Sequence, residues 1–343
     1  MPRRPVHVVV LAGGRGSRFW PWSRRARPKP FLILCGRRTL LEDAWRRARA
    51  IAPAANVWIV VPRELESGVR ELLPRLRADR LVVEPSPRDT APALGLACER
   101  IRRVDRRAVV LLMPSDHVID RPVVWARDVR RALAIADRGR FAILGVPPRD
   151  PATGYGYVVC VRAPGAGVAD VVRFVEKPDA ATARRLLRTG RCLWNSGSFA
   201  AGADEFLAEL ARQRPGIARA VEAAAEGRNG PWLRLKPESV DYAVLEGARG
   251  LRAVALRAGW DDLGSWDVAA RRAGPPAPRD AILIDAPGSA VFARNDRLIA
   301  VLGVPGIVVV DAPDALLVVA RSKAQEVKRL VAALRRRGRK DLE

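Results

Sequence analysis

The sequence predicts an α/β protein with a mostly parallel sheet, followed by a small C-terminal module of short strands. Over residues 1–150, apolar runs typical of buried strands alternate with helical patterns, which indicates a parallel sheet with helices on both faces. Beyond residue 280, strand-like segments recur at roughly nine-residue intervals, which favours a β-solenoid or a small barrel-like module. Residues 274–278, Gly-Pro-Pro-Ala-Pro, separate the two patterns and are typical of a linker. We therefore expect one domain over residues 1–272 and a second over residues 273–343.

The elements can be assigned in order. The strands expected in the sheet are runs rich in Val, Leu and Ile, at residues 6–11, 57–61, 81–84, 108–113 and 141–145. The helices expected around them cover residues 40–51, 64–76, 91–103 and 123–137. Residues 153–272 have a less regular pattern, as expected of a substrate-binding insertion. The strands expected in the C-terminal module are residues 281–285, 289–293, 298–302, 307–311 and 316–320. A final helix should begin at Ser322, since Ser322 and Gln325 have the spacing of a capping box.

The composition of the 343-residue chain allows a full hydrophobic core and argues against several protein classes. Hydrophobic residues make up 49% of the chain, yet no apolar run reaches the roughly 18 residues that a membrane span needs. The N-terminus runs directly into the first strand without the apolar segment of a signal peptide, so we expect a cytoplasmic protein with no membrane partner. The four cysteines are scattered and only two histidines are present, which argues against a zinc site or a disulfide framework.

The formal net charge of +24 raises the question of nucleic-acid binding. Nearly all of the 61 basic residues are arginine, and they are spread over every expected helix rather than gathered in one stripe. The pattern indicates a compositional preference for arginine over lysine. We expect attraction to anionic substrates as a by-product, and no nucleic-acid partner.

The first expected strand runs into a glycine-rich turn, residues 13–16, that is followed by basic side chains. Glycine lets the backbone turn sharply, and the exposed N–H groups of such a turn bind anions. Arg15, Arg18 and Lys29 would add charge-assisted contacts to phosphate oxygens. The turn lacks the Lys-Ser/Thr of a Walker loop and the third glycine of the dinucleotide fingerprint. It therefore predicts a polyphosphate-binding loop of another kind; a plain glycine turn with solvated arginines is the alternative.

Two acidic segments are candidates for a metal site. Asp116 follows the strand at residues 108–113, at the edge where ligands of a parallel sheet bind. Asp261 and Asp262 lie in a loop bounded by glycine and tryptophan. Mg²⁺ takes one or two carboxylates and completes its octahedron with substrate phosphates and water. The alternative is that Asp116 caps a turn and that the acidic pair begins a helix.

Taken together, the glycine-rich turn, the basic residues that follow it and the two acidic segments resemble the sequence motifs of sugar-nucleotide pyrophosphorylases. Phe-Trp-Pro-x-Ser-Arg at residues 19–24 resembles the mannose-1-phosphate guanylyltransferase branch in particular. Further strings in that family's order lie at residues 84–93, 114–117, 154–158, 174–178, 194–199 and 259–266. The resemblance implies a Rossmann-like nucleotidyltransferase domain and a small C-terminal left-handed β-helix-like domain. It also implies an enzyme that makes GDP-mannose and diphosphate from GTP and α-D-mannose 1-phosphate, with Mg²⁺ as cofactor.

The resemblance implies a role for each matching residue. Asp116 and Asp262 would bind Mg²⁺, and Asp261, where serine is usual, would add charge near the metal. Arg18 and Lys29 would stabilise charge on the triphosphate, and Lys177 would orient the attacking phosphate. The other implied substrate-binding residues are Leu11, Ala12, Gly13, Gly14, Gly16, Glu84, Asp89, Thr90, Pro114, Ser115, Gly154, Tyr155, Glu176, Asn195 and Gly197.

Two departures from the family pattern leave alternatives open. Asp89 replaces the usual asparagine, which removes a donor for guanine O6, and Pro30 replaces the usual glutamine. Another sugar-1-phosphate nucleotidyltransferase, with a different base or sugar, is therefore one alternative, and a non-catalytic sugar-nucleotide sensor is another. A sensor would be expected to have lost an acid or a lysine of the site, whereas all of these are present, which favours an enzyme. The sugar epimer and the choice between monomer and homodimer stay open.

Overall fold

The structure is a computed structural model that describes residues 4–165, 167–273, 281–294 and 296–343. The linker predicted at residues 274–278 lies outside the described residues. The described chain forms two compact units. The sheet unit contains the residues up to Gly13, Ala44–Ser115 and Ile119–Trp260. The β-helix unit contains Gly14–Asp43, Asp116–Val118 and the described part of Asp261–Glu343. The domain boundary predicted at residue 272 stays a prediction.

The strands are, in chain order, β1 (Val6–Leu11), β2 (Val57–Pro62), β3 (Leu81–Glu84), β4 (Val109–Pro114), β5 (Val118–Ile119), β6 (Ala142–Val146), β7 (Tyr157–Cys160), β8 (Val168–Val175), β9 (Cys192–Gly202), β10 (Arg252–Ala255), β11 (Trp260–Asp261), β12 (Ala281–Ile284), β13 (Ala290–Phe292), β14 (Ile299–Leu302), β15 (Ile307–Ala312) and β16 (Ala315–Ala320). The α-helices are α1 (Leu40–Arg49), α2 (Glu66–Leu72), α3 (Thr90–Val104), α4 (Pro122–Ala136), α5 (Ala180–Arg188), α6 (Ala203–Gln213), α7 (Pro215–Ala225), α8 (Gly230–Leu233), α9 (Trp266–Ala273) and α10 (Lys328–Arg336).

The sheet unit contains a nine-stranded sheet of order β3-β2-β1-β4-β9-β6-β10-β8-β7. β9 is antiparallel to β4 and β6, and β8 is antiparallel to β10 and β7, so these two strands oppose the other seven. The predicted mostly parallel sheet is confirmed. Consecutive residues of β1, from Val8 to Val10, are fully buried. Because consecutive side chains of a strand point to opposite faces, the sheet is covered on both faces, which explains the continuous apolar runs of its central strands.

Two of the helices, α1 and α5, begin with a side-chain cap. The Oγ1 of Thr39 accepts the N–H of Glu42 at 3.2 Å, and the Oε2 of Glu42 accepts the N–H of Thr39 at 2.8 Å, which is a capping box at the start of α1. The Oδ1 of Asp179 accepts the N–H of Thr182 at 2.7 Å at the start of α5. Each such cap satisfies backbone donors that a helix leaves unpaired, and each is worth about 1 kcal/mol.

In the β-helix unit, strands pair with the strand two positions along the chain. β12 is parallel to β14 and β13 is parallel to β15, as in successive turns of a β-helix, while β15 and β16 form an antiparallel hairpin. The predicted β-helix-like module is therefore confirmed. Its core includes aromatic residues of the segment that follows the glycine turn: the ring of Trp22 lies 5.2 Å from that of Trp266, and Trp266 lies 4.9 Å from Phe292. The Nε1 of Trp22 donates to the carbonyl of Asp311 at 2.8 Å.

The predicted start of the final helix is wrong. Residues 321–326 form a 3₁₀ segment capped by Ala320, without a side-chain cap, and α10 begins only at Lys328. Ala324 and Val327 are both buried in the core of the unit. Residues three apart eclipse in a 3₁₀ helix, so this geometry places both side chains on the core side. Among the described residues, no helix is long and apolar enough to span a bilayer.

Candidate active site

In the β-helix unit, the ammonium of Lys29 contacts both segments predicted to bind a metal. Its Nζ donates to Oδ2 of Asp116 at 2.5 Å and to the backbone carbonyl of Asp262 at 3.3 Å. The Lys29 residue is only 8% exposed, and its Nζ lies 5.5 Å from the centre of the Phe19 ring. The structure therefore brings together Lys29, Asp116 and Asp262, which lie far apart in the sequence.

The carboxyl of Asp116 is held in its ionised form. Burial by itself would raise its pKa, but the charges of Lys29 and His117 and the hydrogen bond from Lys29 outweigh it, and the pKa of Asp116 is lowered. Its side chain is still 32% exposed. Asp116 is thus an ionised carboxylate with solvent access, which is the state that binds a cation.

Gly16 packs closely against Lys29. Its φ is +69°, in the left-handed region, and a Cβ on this residue would lie 2.3 Å from the Cβ of Lys29. Only glycine fits here without displacing its neighbour. By contrast, a Cβ on Gly14 would have no heavy atom within 4 Å. Arg18, in the 3₁₀ turn Ser17–Phe19, is exposed.

The loop around Asp262 is fixed by its own side chains. The Oδ1 of Asp261 accepts the N–H of Asp262 at 3.0 Å, and its Oδ2 lies 3.5 Å from the Nε of Arg272. Asp261 is only 3% exposed, so its charge faces Arg272 inside the unit. The Oδ1 of Asp262 accepts the N–H of Gly264 at 3.1 Å. Leu263, between Asp262 and Gly264, has a φ of +41° and a fully buried side chain. A leucine in this region is strained, and such strain is concentrated at functional sites.

The acids around Lys29 fit a magnesium ion. Asp116 and Asp262 would supply two carboxylates, the hard oxygen ligands that Mg²⁺ prefers, and substrate phosphates and water would complete its six ligands. Among the described residues there is no group of three or more His, Cys, Asp or Glu side chains suited to a metal.

In the sheet unit, five predicted residues lie together at the carboxyl ends of β1 and β4. Leu11 pairs with Pro114 in the sheet, and the N–H of Ser115 donates to the carbonyl of Leu11 at 3.0 Å. The N–H of Ala12 donates to the carbonyl of Val60 at 2.9 Å. Gly13, the fifth, follows directly, so the chain leaves the sheet at the edge where ligands of parallel sheets bind.

Glu84 ends β3 beside this edge. A Cβ on Gly13 would lie 3.8 Å from its Oε1. Glu84 is 5% exposed, and burial raises its pKa to about 7. A hydrogen bond from the backbone of Arg88 acts in the opposite direction and lowers the pKa. Asp89 has a φ of +68°, and its Oδ1 accepts the N–H of Thr90 at 2.7 Å at the start of α3. Glu84 is thus a buried carboxyl that titrates near neutral pH, and Asp89 caps a helix.

A second group in the sheet unit surrounds Glu176. Its Oε1 accepts from the Nζ of Lys177 at 2.7 Å, and a Cβ on Gly156 would lie 2.4 Å from its Oε2. The side chain of Lys177 is 64% exposed. The hydrogen bond with Glu176 raises the pKa of Lys177, so it stays cationic. Lys177 also has a positive φ, +43°. The group thus offers a charged ammonium beside a carboxylate.

A bulge in β9 positions Asn195 in this group. The pairing with β6 jumps from Ser198–Leu144 to Asn195–Gly145, so two residues of β9 are unpaired. Bulges of this kind are common next to active sites because they re-aim a side chain. The Oδ1 of Asn195 accepts the N–H of Gly197 at 2.8 Å, and the N–H of Asn195 donates to the carbonyl of Gly156 at 2.7 Å.

Aromatic rings lie beside Tyr155, which follows the exposed Gly154. The ring of Tyr155 is 5.0 Å from that of Trp194 and 5.5 Å from that of Trp260. This wall of rings would exclude water from one side of a bound ligand.

Sequence reasoning missed Asp241, which lies in the same group. The Nδ2 of Asn195 donates to Oδ1 of Asp241 at 2.8 Å. Burial and the charge of Glu176 raise the pKa of Asp241 to about 6. The available signal was a single acid at the start of an otherwise apolar run, residues 240–245, but periodicity alone does not separate such an acid from a helix cap.

Comparison with known proteins gives two family matches. Residues 7–271 match the family described as nucleotidyl transferase. Residues 279–334 match the family described as the mannoseP isomerase/GMP-like beta-helix domain. Together the two matches account for nearly the whole chain.

Individual relatives match over almost all of the chain. The xanthan biosynthesis protein XanB of Xanthomonas campestris pv. campestris is 37% identical over 353 residues, which cover 98% of this chain and 74% of XanB. A mannose-1-phosphate guanylyltransferase of Escherichia coli is 34% identical over 350 residues, 96% of this chain and 74% of that protein. A crystal structure from Thermus thermophilus, described as mannose-1-phosphate geranyltransferase, superimposes with a TM-score of 0.85 and 32% identity. It covers 96% of this chain and 99% of that one.

Proposed function

The chain belongs to the nucleotidyl transferase family, and from this premise we propose that it makes GDP-mannose and diphosphate from GTP and α-D-mannose 1-phosphate. The sugar-1-phosphate nucleotidyltransferase class follows from the family and its relatives. The observation that carries the chemistry is the group formed by Lys29, Asp116 and Asp262. The choice of guanine and mannose is supported by the relatives named mannose-1-phosphate guanylyltransferase.

The reaction needs a nucleophile, and the sugar phosphate supplies one. The second pKa of a phosphate monoester is about 6, so its oxygen is already anionic near neutral pH and needs no general base. This oxygen attacks the α-phosphorus of GTP in line with the leaving diphosphate. One P–O bond forms, the bond from the α-phosphorus to the bridging oxygen breaks, and diphosphate leaves with the electron pair. The protein has to position the two anions and neutralise their charge.

Lys29 and Lys177 would divide that task. Lys29, packed against Gly16, would place its ammonium against the triphosphate. Lys177, exposed and paired with Glu176, would hold the phosphate of the sugar. Asp116 and Asp262 would hold Mg²⁺, which when bound neutralises charge on the triphosphate and the leaving diphosphate.

Glu84 would recognise the base. Guanine presents the N1–H and N2–H₂ donors on one edge, and a buried carboxylate accepts from both, whereas adenine presents no such pair. The backbone of Ala12 and Gly13 lies along the same edge of the sheet as Glu84. Because Asp89 is engaged at the start of α3, Glu84 is the carboxyl we assign to guanine.

The test is diphosphate release across a matrix of nucleoside triphosphates and sugar 1-phosphates with Mg²⁺. We expect the highest kcat/KM for GTP with mannose 1-phosphate. Equal turnover of ATP and GTP would refute the guanine assignment, and a higher kcat/KM for another sugar would refute the mannose assignment. A protein that binds GDP-mannose but releases no diphosphate with any pair would be a sensor.

A further inference from the structure

Asp241 begins a π-helical turn, Asp241–Leu245, whose position is fixed by the core of the sheet unit. Ala243, Val244 and Leu245 are all buried in that core. Single π-turns occur frequently at functional sites. Because three of its residues are anchored, the turn presents the Asp241 carboxyl at a fixed place.

That place is next to the Asn195 amide. The orientation of the amide is set from both sides, since Oδ1 accepts the N–H of Gly197 and Nδ2 donates to Oδ1 of Asp241, each at 2.8 Å. A carboxamide has two N–H donors and two acceptor lone pairs. One donor and one lone pair of Asn195 are therefore left for a ligand, and their directions depend on both partners.

The charges around Asp241 suit the same ligand. Burial and the charge of Glu176 raise the pKa of Asp241, and Asn195 and Lys177 oppose that shift. The group therefore consists of two carboxyls, one ammonium and one amide. Such mixed donors and acceptors match the hydroxyls and the phosphate of a sugar phosphate.

We propose that Asp241 is a further positioning residue for the sugar phosphate, acting through the Asn195 amide, which it holds in the orientation that binds the sugar hydroxyls. This rests on the proposed function. A positioning role of this kind concerns only the sugar-phosphate side of the reaction, so the affinity for the nucleoside triphosphate is independent of Asp241.

The test measures KM for each substrate in turn, with mannose 1-phosphate or whichever sugar 1-phosphate the wild-type chain uses best. Asp241→Ala should raise KM for the sugar phosphate about tenfold or more, the loss expected of one hydrogen bond to a charged group, with KM for the triphosphate within about twofold. Asp241→Asn keeps an acceptor for the Asn195 amide and should restore most of the loss. Glu238→Ala is the matched control, since Glu238 lies three residues away and pairs with Arg214 at 2.6 Å instead.

A charge swap keeps the proposal testable if Asp241→Ala does not fold. Asn195→Asp places two carboxyls face to face and should raise KM for the sugar phosphate. Adding Asp241→Asn restores a donor opposite an acceptor. The double variant should therefore have a KM for the sugar phosphate at least threefold lower than Asn195→Asp alone. An unrecovered double variant, or equal effects of Asp241→Ala on both substrates, overturns the proposal. A wild-type chain that turns over no sugar 1-phosphate overturns the proposed function instead.

Discussion

Replacing Gly16 by alanine tests how the fold positions Lys29. The new Cβ would lie 2.3 Å from the Cβ, 3.1 Å from the Cγ and 3.2 Å from the Cα of Lys29. The left-handed φ of +69° costs an alanine roughly 1–2 kcal/mol, and a methyl group forced into a packed site costs about 1–3 kcal/mol more. We expect the free energy of unfolding to fall by about 2–5 kcal/mol. Relief of the contact would displace Lys29 from Asp116, and a misplacement of about 1 Å at a reacting centre lowers kcat/KM on the order of 10²-fold.

Gly36→Ala is the matched control for this change. Gly36 has a φ of +76° and is in the same unit, but a Cβ there would have no heavy atom within 4 Å. It should therefore carry only the cost of the left-handed backbone, roughly 1–2 kcal/mol, with wild-type activity. Denaturant unfolding gives the free energies, and diphosphate release gives kcat/KM. Equal stability of the two variants, with full activity of Gly16→Ala, would refute the role of Gly16 in positioning Lys29.

Three further predictions address the acids and the lysines. Asp116→Asn and Asp262→Asn should each lower kcat in diphosphate release about 10²–10³-fold or more. Asp261→Ser should lower kcat much less, because Asp261 faces Arg272. An unchanged kcat in Asp262→Asn would contradict this prediction. Burial raises the pKa of Glu84 to about 7 in the folded state, so its contribution to stability is present below its unfolded pKa near 4.5 and lost as the pH rises through 7. Wild type should lose about 3 kcal/mol of unfolding free energy over that window relative to Glu84→Gln, and parallel pH profiles would contradict this. Lys29→Arg should raise KM mainly for GTP and Lys177→Arg mainly for the sugar phosphate, since a planar guanidinium does not replace a compact ammonium; steady-state kinetics with each substrate varied would show the reverse if the roles were exchanged.

The sheet could be predicted from the sequence because its central strands are buried on both faces. A run such as Val8–Val10 is then apolar at every position, and its length and valine content distinguish it from a helix. The strands of the β-helix unit could be predicted equally well, because turns separate them at regular intervals in the sequence. Ser322 shows the limit of this approach: its capping-box spacing is present, but Arg321–Glu326 forms a 3₁₀ segment without a side-chain cap, and α10 begins only at Lys328.

The packing of residues 14–43 in the β-helix unit could not be predicted. It depends on bonds between residues far apart in sequence, such as the one from Trp22 to Asp311 and the one from Trp20 to the carbonyl of Leu342 at 2.8 Å. No local pattern encodes these partners.

Within the candidate site, the residues predicted from the sequence belong to glycine-rich or acidic motifs, and their roles stay predictions. The pairing of Lys29 with Asp116 was not predicted, although both residues were. Asp241 was missed because the role we propose for it depends on Asn195, which lies at a bulge in β9 and donates to it. The strain at Leu263, whose side chain belongs to the core while its neighbour Asp262 belongs to the site, is likewise a property of the folded chain alone.

We propose that this chain transfers a guanylyl group from GTP to a sugar phosphate. It is tested by incubating the chain with mannose 1-phosphate, Mg²⁺ and GTP that carries radioactive phosphorus at either the α- or the β-position. The products that contain each label are then identified. Attack at the α-phosphorus requires the α-label to appear in GDP-mannose and the β-label to leave in diphosphate. A β-label retained in the nucleotide sugar, or both labels remaining in GTP while the protein binds GDP-mannose, would contradict this proposal.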